Sequence, residues 1–421
     1  MTTPAPTSIY RQRGFLPFAL SRLLAFFAAQ IQGIVVAWQV YTMTRDPMTL
    51  AYVGLAQFLP MLLLLIPAGD LIDRFDRKKI LLLSWGIQGL CGVALALLSV
   101  LQINTPTWFY FVLLIYGAGR AFTGPALQSL LPQIVPKNQL AAAIAANSMI
   151  MRIASISGPL LGGFIYAVGG GQLTYSLCFL SFMAAIILLQ WIPVLYGTQQ
   201  PQQKDIGAWQ RFTAGIQFIR SRPIILGTIS LDLFAVLLGG VVALLPMYAS
   251  DILQVGSQGL GALRSAMAIG EVTLGFYLSI KPFNRHLGLI MFGAVILFGL
   301  ANLLFSLSKL FWLSFLALIL AGAADMVSVY IRSTLVQFST PDEMRGRVNA
   351  VNMLFISSSN ELGEFRAGAM AAWVGLVPAA VLGCIFTLAV AGTWMRLFPS
   401  LRQVNRFEEA NLPNTLVTST S

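Results

Sequence analysis

Gly69-Asp-Leu-Ile-Asp73-Arg74-Phe-Asp76-Arg77-Lys78-Lys79 stands between two apolar runs, 48–68 before it and 80–102 after it. Crossing a bilayer as a helix takes about 20 predominantly apolar residues, and each run is long enough. The chain therefore crosses, turns through a charged loop and crosses back. Gly69 lets neighbouring helices approach closely. An acid in the loop can cap the facing helix or pair with a base. The four bases hold the loop in the cytoplasm.

The same pattern repeats in both directions. Apolar runs at 15–44, 48–68, 80–102, 108–131, 139–168 and 173–194 are followed by runs at 223–250, 258–280, 286–307, 311–338, 348–374 and 377–397. That makes twelve spans with both termini on one side. Composition agrees: 57% of the 421 residues are hydrophobic and 10% are charged, against roughly 25% charged in a soluble protein. Basic residues alternate with the loops. Eighteen lie in segments assigned to the cytoplasm, two (Arg45 and Lys309) lie outside, and the other six of the 26 are inside spans. The net charge of +11 therefore follows membrane topology and calls for no nucleic-acid partner. The polar start, 1–14, carries Arg11 and Arg13 and leads into a first span rather than a cleavable signal. Cys91, Cys178 and Cys384 lie in apolar windows without CxxC spacing, and the chain has one histidine, His286. Metal and histidine-triad chemistry find no residues here, and no metal site is expected.

The segment 196–222 is the longest polar stretch between spans. It opens as a flexible linker and continues with Trp209, Phe212, Ile216, Phe218 and Ile219 among Arg211, Arg220 and Arg222. That spacing predicts an amphipathic helix lying on the inner leaflet. The expected organisation is a six-helix bundle over 1–195, the linker over 196–222, a second bundle over 223–400 and a cytoplasmic tail over 401–421. The halves repeat at an offset of 205 residues: Gly117 meets Gly322, Pro136 meets Pro341, Asn147 meets Asn352, Gly158 meets Gly363 and Gly163 meets Gly368. Parallel repeats of this kind mark two pseudo-symmetric bundles with a site between them at mid-membrane.

A charge at a span centre costs about 2.5–3.5 kcal/mol on insertion scales and faces a cavity or a partner. Eleven ionisable residues sit within spans: Arg22, Arg120, Arg152, Asp232, Arg264, Glu271, Asp325, Arg332, Glu361, Glu364 and Arg366. Spans three, six, nine and twelve have none in their interiors, which makes those four the lipid-facing helices. All five acids are in the second half, and the repeat sets Arg120 opposite Asp325. Asp325 and Arg120 are read as functional. Glu361 and Glu364 share one helix face, and like charges that close disfavour double ionisation. For them, proton coupling and structural pairing with Arg366, Arg332 or the first-half arginines both stand. Arg152, Asp232, Glu271 and Arg366 complete the expected substrate and proton pathway.

Three motifs carry a family resemblance. The loop at 69–79 resembles the major facilitator superfamily signature G-x-L-a-D-R-x-G-R-K/R, with Asp76 where glycine is usual. Span four holds Arg120-Ala-Phe-Thr-Gly124, similar to the R-x-x-x-G pattern of that superfamily's proton-linked antiporters. Span five holds Gly158-Pro159-Leu-Leu-Gly162-Gly163, matching the antiporter pattern G-P-x-x-G-G. Proline removes a backbone donor and glycines admit a close neighbour, so such a site forms a hinge or a tight seal. Trp38-Gln-Val-Tyr-Thr-Met-Thr, Arg152 and Thr340-Pro-Asp-Glu-Met-Arg-Gly-Arg-Val-Asn349 resemble the enterobactin-exporter-like group. The resemblance implies an all-α major facilitator fold and proton-driven export of a siderophore or an amphiphilic drug. It also makes Gly69, Asp73, Arg74 and Arg77 the loop that gates conformational change. A proton-coupled importer and a non-catalytic membrane partner are the alternatives. The G-P-x-x-G-G turn weighs against the first and the charged spans against the second. No HExxH, Walker or GxSxG motif is present, so no enzyme activity is expected. The expectations are an inner-membrane monomer, no cofactor beyond the proton gradient, and a small-molecule substrate.

Overall fold

The structure, a computed structural model, describes residues 14–193, 208–407 and 409. Arg11 and Arg13, the linker residues 196–207 and the tail beyond 409 lie outside the described residues. Those described form helices α1 (Phe15–Thr44), α2 (Pro47–Arg74), α3 (Arg77–Val100), α4 (Pro106–Ile134), α5 (Leu140–Gln190), α6 (Ala208–Ser221) and α7 (Pro223–Gly239). Then follow α8 (Leu245–Met247), α9 (Gly256–Ile280), α10 (Leu287–Leu307), α11 (Phe311–Phe338), α12 (Asp342–Val374), α13 (Leu376–Leu397) and α14 (Pro399–Arg402). Helices dominate because lipid offers no hydrogen-bond partners, so each span must satisfy its own backbone. Among the described residues eight helical segments are long and apolar enough to cross a membrane, and α5 supplies two crossings. The remaining spans are α4, α9 and α12, of 29, 25 and 33 residues. They carry Arg120, Arg264, Glu271, Glu361, Glu364 and Arg366, which lowers their apolarity.

The spans expected at 139–168 and 173–194 are two legs of one bent helix. Gly170 breaks it with φ 61 and ψ −163, a conformation open essentially to glycine alone. The span expected at 223–250 is not continuous. It stops at Gly239, and a 3-10 turn (Val242–Leu244), the single turn α8 and a π turn (Tyr248–Ile252) follow. Gly239 and Gly240 offer no side chain to hold the helix, Pro246 offers no N–H, and Gly239 is pressed against Thr387 of α13. The helices without interior charges expose leucine stripes instead: Leu83, Leu90 and Leu97 on α3, and Leu289, Leu300 and Leu304 on α10. Exposed apolar bands on this scale mark a lipid-facing surface.

The helices gather in two compact units. One holds the described residues of Met1–Arg45, Leu55–Lys204 and Gly256–Ser265, the other those of Asp46–Gly54, Asp205–Val255 and Ala266–Ser421. The start of α2 thus belongs to the second unit and the start of α9 to the first.

The glycines of the internal repeat occupy matching roles in each unit. In the first, a Cβ on Gly117 (α4) would strike the Gln57 carbonyl of α2, and one on Gly158 (α5) would lie 2.8 Å from Gln30 of α1. In the second, Gly322 (α11) abuts the Met267 carbonyl of α9, and a Cβ on Gly363 (α12) would lie 2.8 Å from the Val236 carbonyl of α7. Helix axes come this close only where the side chain is a single hydrogen.

Helix α6 uses its apolar stripe on protein where the sequence pattern assigned that stripe to lipid. Ile219, 2% exposed, joins Ile225, Val336, Val348 and Val351 in a core flanked by Phe212 and Ile216. A Cβ on Gly215 would lie 2.9 Å from the Arg347 carbonyl of α12. Part of the expected tail is also packed: Leu401 and Val404 are buried in the second unit, Gly288 N–H donates to the Val404 carbonyl at 2.9 Å, and Phe407 stacks on Phe338 at 5.8 Å.

Candidate functional site

Asp232 stands midway along α7, and Asp325, Ser328 and Arg332 line one face of α11. The spacing of three and four residues along α11 brings its three side chains to a single stripe. Arg332 forms an ion pair with Asp232, and its Nη2 lies 3.9 Å from Asp325 Oδ1. The Arg332 side chain is 10% exposed, that of Asp232 13% and that of Asp325 31%. Ala235, Val236, Val295 and Phe298 close an apolar wall around them. The cavity between them is about 20 Å³, room for one ordered water. Two polar atoms at this cavity have no hydrogen-bond partner among the described residues, Ser328 Oγ and Arg332 Nε, and Ser328 is 3% exposed.

The other predicted residues of this unit are not among those that line the cavity. Glu271 is half-buried on α9, and Glu361 and Glu364 are half-buried on α12. Glu364 approaches Gly54 at the start of α2, within 3.9 Å of where a Cβ would stand. Arg366 faces α13: its Nη1 lies 3.0 Å from Met370 Sδ and its Nη2 3.4 Å from the Cβ position of Gly383. Arg366 Nε and Nη2 are buried without a hydrogen-bond partner among the described residues.

In the first unit Arg120 on α4 is exposed and Arg152 on α5 half-buried. The stretch Gly158-Pro159-Leu-Leu-Gly162-Gly163 serves two neighbours at once. Gly158 and Gly162 receive Gln30 and Ile31 of α1, while Gly163 abuts the backbone of Ser257 on α9. Ser257 Oγ donates to the Gly163 carbonyl at 3.0 Å, and a Cβ on Gly261 would lie 2.5 Å from the Pro159 carbonyl. Gly368, the repeat partner of Gly163, packs in the second unit against Ala51 and the Pro47 carbonyl.

The loop at 69–79 differs from expectation at two positions. Among the described residues nothing lies within 4 Å of the place a Cβ on Gly69 would take, so they do not make the close helix approach assigned to it. Asp76 is the N-cap of α3 and accepts from the Lys78 and Lys79 amides at 2.9 and 3.4 Å. A carboxylate there satisfies the orphan N–H groups at a helix start and favours its positive pole, which a glycine could not do. Arg74 pairs with Asp70 at 2.9 Å, both exposed, and Arg77 opens α3 half-buried. The Asp73 side chain lies outside the described residues.

Sequence reasoning counted Arg332 among the intramembrane charges but left it out of the pathway. Its position two turns after Asp325 was the available signal. Ser328 went unnoticed because a lone serine in a span has no signature. Also unforeseen were Lys78, whose Nζ donates to the Gln190 and Ile192 carbonyls at 2.8 and 2.9 Å and so caps the end of α5, and Gln39. The latter receives a hydrogen bond from Tyr175 OH at 2.8 Å and donates to Ser99 Oγ at 3.1 Å, tying α1, α3 and α5 together.

Comparison with known proteins agrees with this architecture. The chain is similar to enterobactin exporter EntS of Escherichia coli O1:K1 / APEC and of Citrobacter koseri, in each case 26% identical over 399 residues, covering 93% of this chain and 92% of the relative. Among solved structures, a bacterial homologue of the iron transporter ferroportin superposes with TM-score 0.70 at 17% identity, covering 94% of this chain and 100% of the other. A bacterial homologue of the human lysosomal transporter Spinster also reaches TM-score 0.70 at 17% identity, over 94% and 99% of the two chains. These structures share the major facilitator fold, in which twelve transmembrane helices form two pseudo-symmetric bundles. The family described as transmembrane secretion effectors matches residues 4–419, and the chain belongs to that family: it is a multi-pass membrane transporter of the major facilitator superfamily and not an enzyme.

Proposed function

We propose that this protein exports a small amphiphilic organic molecule across the inner membrane, with both termini cytoplasmic, by exchange for protons under an alternating-access cycle. The observation that carries the reading is the distribution of ionisable side chains. They occupy α1, α4, the first leg of α5, α7, α9, α11 and α12, while α3, the second leg of α5, α10 and α13 have none in their interiors. Seven helices with charges at membrane depth imply a polar path lined by them. The curated relatives are exporters of enterobactin, and a siderophore of that chemistry is the substrate class we favour, with lipophilic drugs second.

In this reading Arg120, Arg152, Glu271, Glu361, Glu364 and Arg366 line the path with Asp232 and Asp325. Arginines on the first half suit an acidic substrate. Gly158, Pro159, Gly162 and Gly163 form the hinge at which α5 rolls against α1 and α9, and Gly69, Asp73, Arg74 and Arg77 form the gating loop. The protein acts as a monomer with the proton gradient as its energy source.

Mass spectrometry of spent medium from a deletion strain and its parent, both grown under iron limitation, tests the substrate class. Loss of a secreted chelator with its accumulation inside the cells supports siderophore export. Unchanged secretion, with new sensitivity to lipophilic antibiotics, moves the substrate to drugs.

A further inference from the structure

The cluster on α7 and α11 is one positive charge short. Two carboxylates, Asp232 and Asp325, face a single guanidinium, Arg332, in a cavity walled by Ala235, Val236, Val295 and Phe298. An uncompensated charge in such surroundings costs several kcal/mol, and the group neutralises in preference to bearing it. The surrounding helices do not supply the missing charge. Helix α10 brings no titratable residue to the wall. Helix α7 has Asp232 alone. Helix α9, packed on α11 through Gly270 and Gly322, carries Arg264, Glu271 and Tyr277, and α12, packed on α7, carries Glu361, Glu364 and Arg366; none of these is among the residues that line the cavity, and the Arg366 guanidinium lies against Gly383 of α13. The cluster therefore lacks one cation.

We propose that Asp232, Asp325 and Arg332 form a single-proton site, in which Asp325 takes up the proton and Arg332 is the internal cation that answers its loss. The inference rests on the proton-driven reading above and deepens it. Two observations assign the roles. Asp232 holds Arg332 in direct contact and is the less exposed carboxyl, so it is one half of a fixed pair. Asp325 is 3.9 Å from the guanidinium and 31% exposed, so it is the carboxyl that water can reach. Ser328 Oγ, buried at the same cavity without a partner among the described residues, is placed to hold the water that delivers the proton.

The charges balance in each state. Protonated, the site is neutral: Asp232 and Arg332 cancel and Asp325 is a neutral acid. When the proton leaves to water, Asp325 becomes an anion and competes with Asp232 for Arg332. The guanidinium then turns toward α11's own carboxylate and loosens its hold on α7. Proton release is thereby coupled to the tie between α7 and α11.

Infrared difference spectroscopy of the purified full-length protein, titrated in potassium buffer without substrate, reads the proton directly. The wild type shows one protonated-carboxyl C=O stretch that disappears as pH rises. Asp325→Asn removes that band. Asp232→Asn keeps it but moves its disappearance to lower pH, because Arg332 then faces one carboxylate and favours its ionised form. Ser328→Ala keeps the band and slows its exchange in heavy water. A band that survives in Asp325→Asn with helical content intact, or one displaced by sodium but not by potassium, overturns the assignment. Failure of the export reading is a separate result: the band behaves as described in the variants, yet wild-type vesicles move no protons when enterobactin is added.

Discussion

Asp76 shows how one substitution in a motif changes its physics. Where a glycine would turn the loop, the carboxylate caps α3. Removing a side-chain N-cap costs about 1 kcal/mol. Asp76→Ala is therefore expected to lower the unfolding temperature in detergent by a few degrees, while Asp76→Asn, which still accepts from the Lys78 amide, stays close to wild type. Equal losses in both variants would show that charge, and not the cap, matters there. A second contrast lies among the glycines. Gly322→Ala places a methyl on the Met267 carbonyl and is expected to destabilise strongly and abolish transport, whereas Gly293→Ala, with open space around it, is expected to be silent in both assays. Of these residue-level facts, the repeat glycines were legible because a glycine recurring at a fixed offset requires a common reason. The roles of Asp76, Lys78 and Ser328 were not, since each depends on which backbone atoms another helix brings within reach.

At the scale of elements, the apolar runs located the spans to within a few residues. Helices α1 and α11 coincide with the expected 15–44 and 311–338. Hydropathy reports only whether a stretch can lie in lipid, and it is blind to backbone continuity. That is why the turn expected at 169–172 is a bend at Gly170 within one helix, and why the break after Gly239 did not show. The same limitation misplaced α6: an amphipathic stripe reads alike whether lipid or protein covers it, and here α12 covers it. Ile219→Asp puts an unpaired carboxylate into that core. The expected consequence is faster amide exchange confined to α6 and the start of α12, measured by mass spectrometry, with the spans protected as before. Exchange unchanged along α6 would contradict its docking on α12. The pairing of α5 with α9 predicts that Gly163→Val, which intrudes on Ser257, blocks transport while leaving the folded protein soluble in detergent.

For the whole molecule, the twelve spans, the internal repeat and the segregation of charge all followed from one chain. What stayed hidden was the partnership inside the second unit, because the ion pair between α7 and α11 joins residues one hundred positions apart. Arg120→Ala and Asp325→Asn are expected to abolish transport without loss of membrane insertion, measured by uptake into inverted vesicles and by surface labelling. Asp73→Asn is expected to slow transport while leaving substrate binding near wild type, and a parallel fall in binding would contradict the gating role proposed for the loop.

The central claim is that export is driven by protons. It is tested most directly in proteoliposomes that enclose a pH-sensitive dye, with iron-free enterobactin added on one side. The account predicts proton movement opposite to the substrate, abolished by a protonophore and absent in Asp325→Asn. Substrate movement with no change in internal pH, and no response to the protonophore, would contradict it.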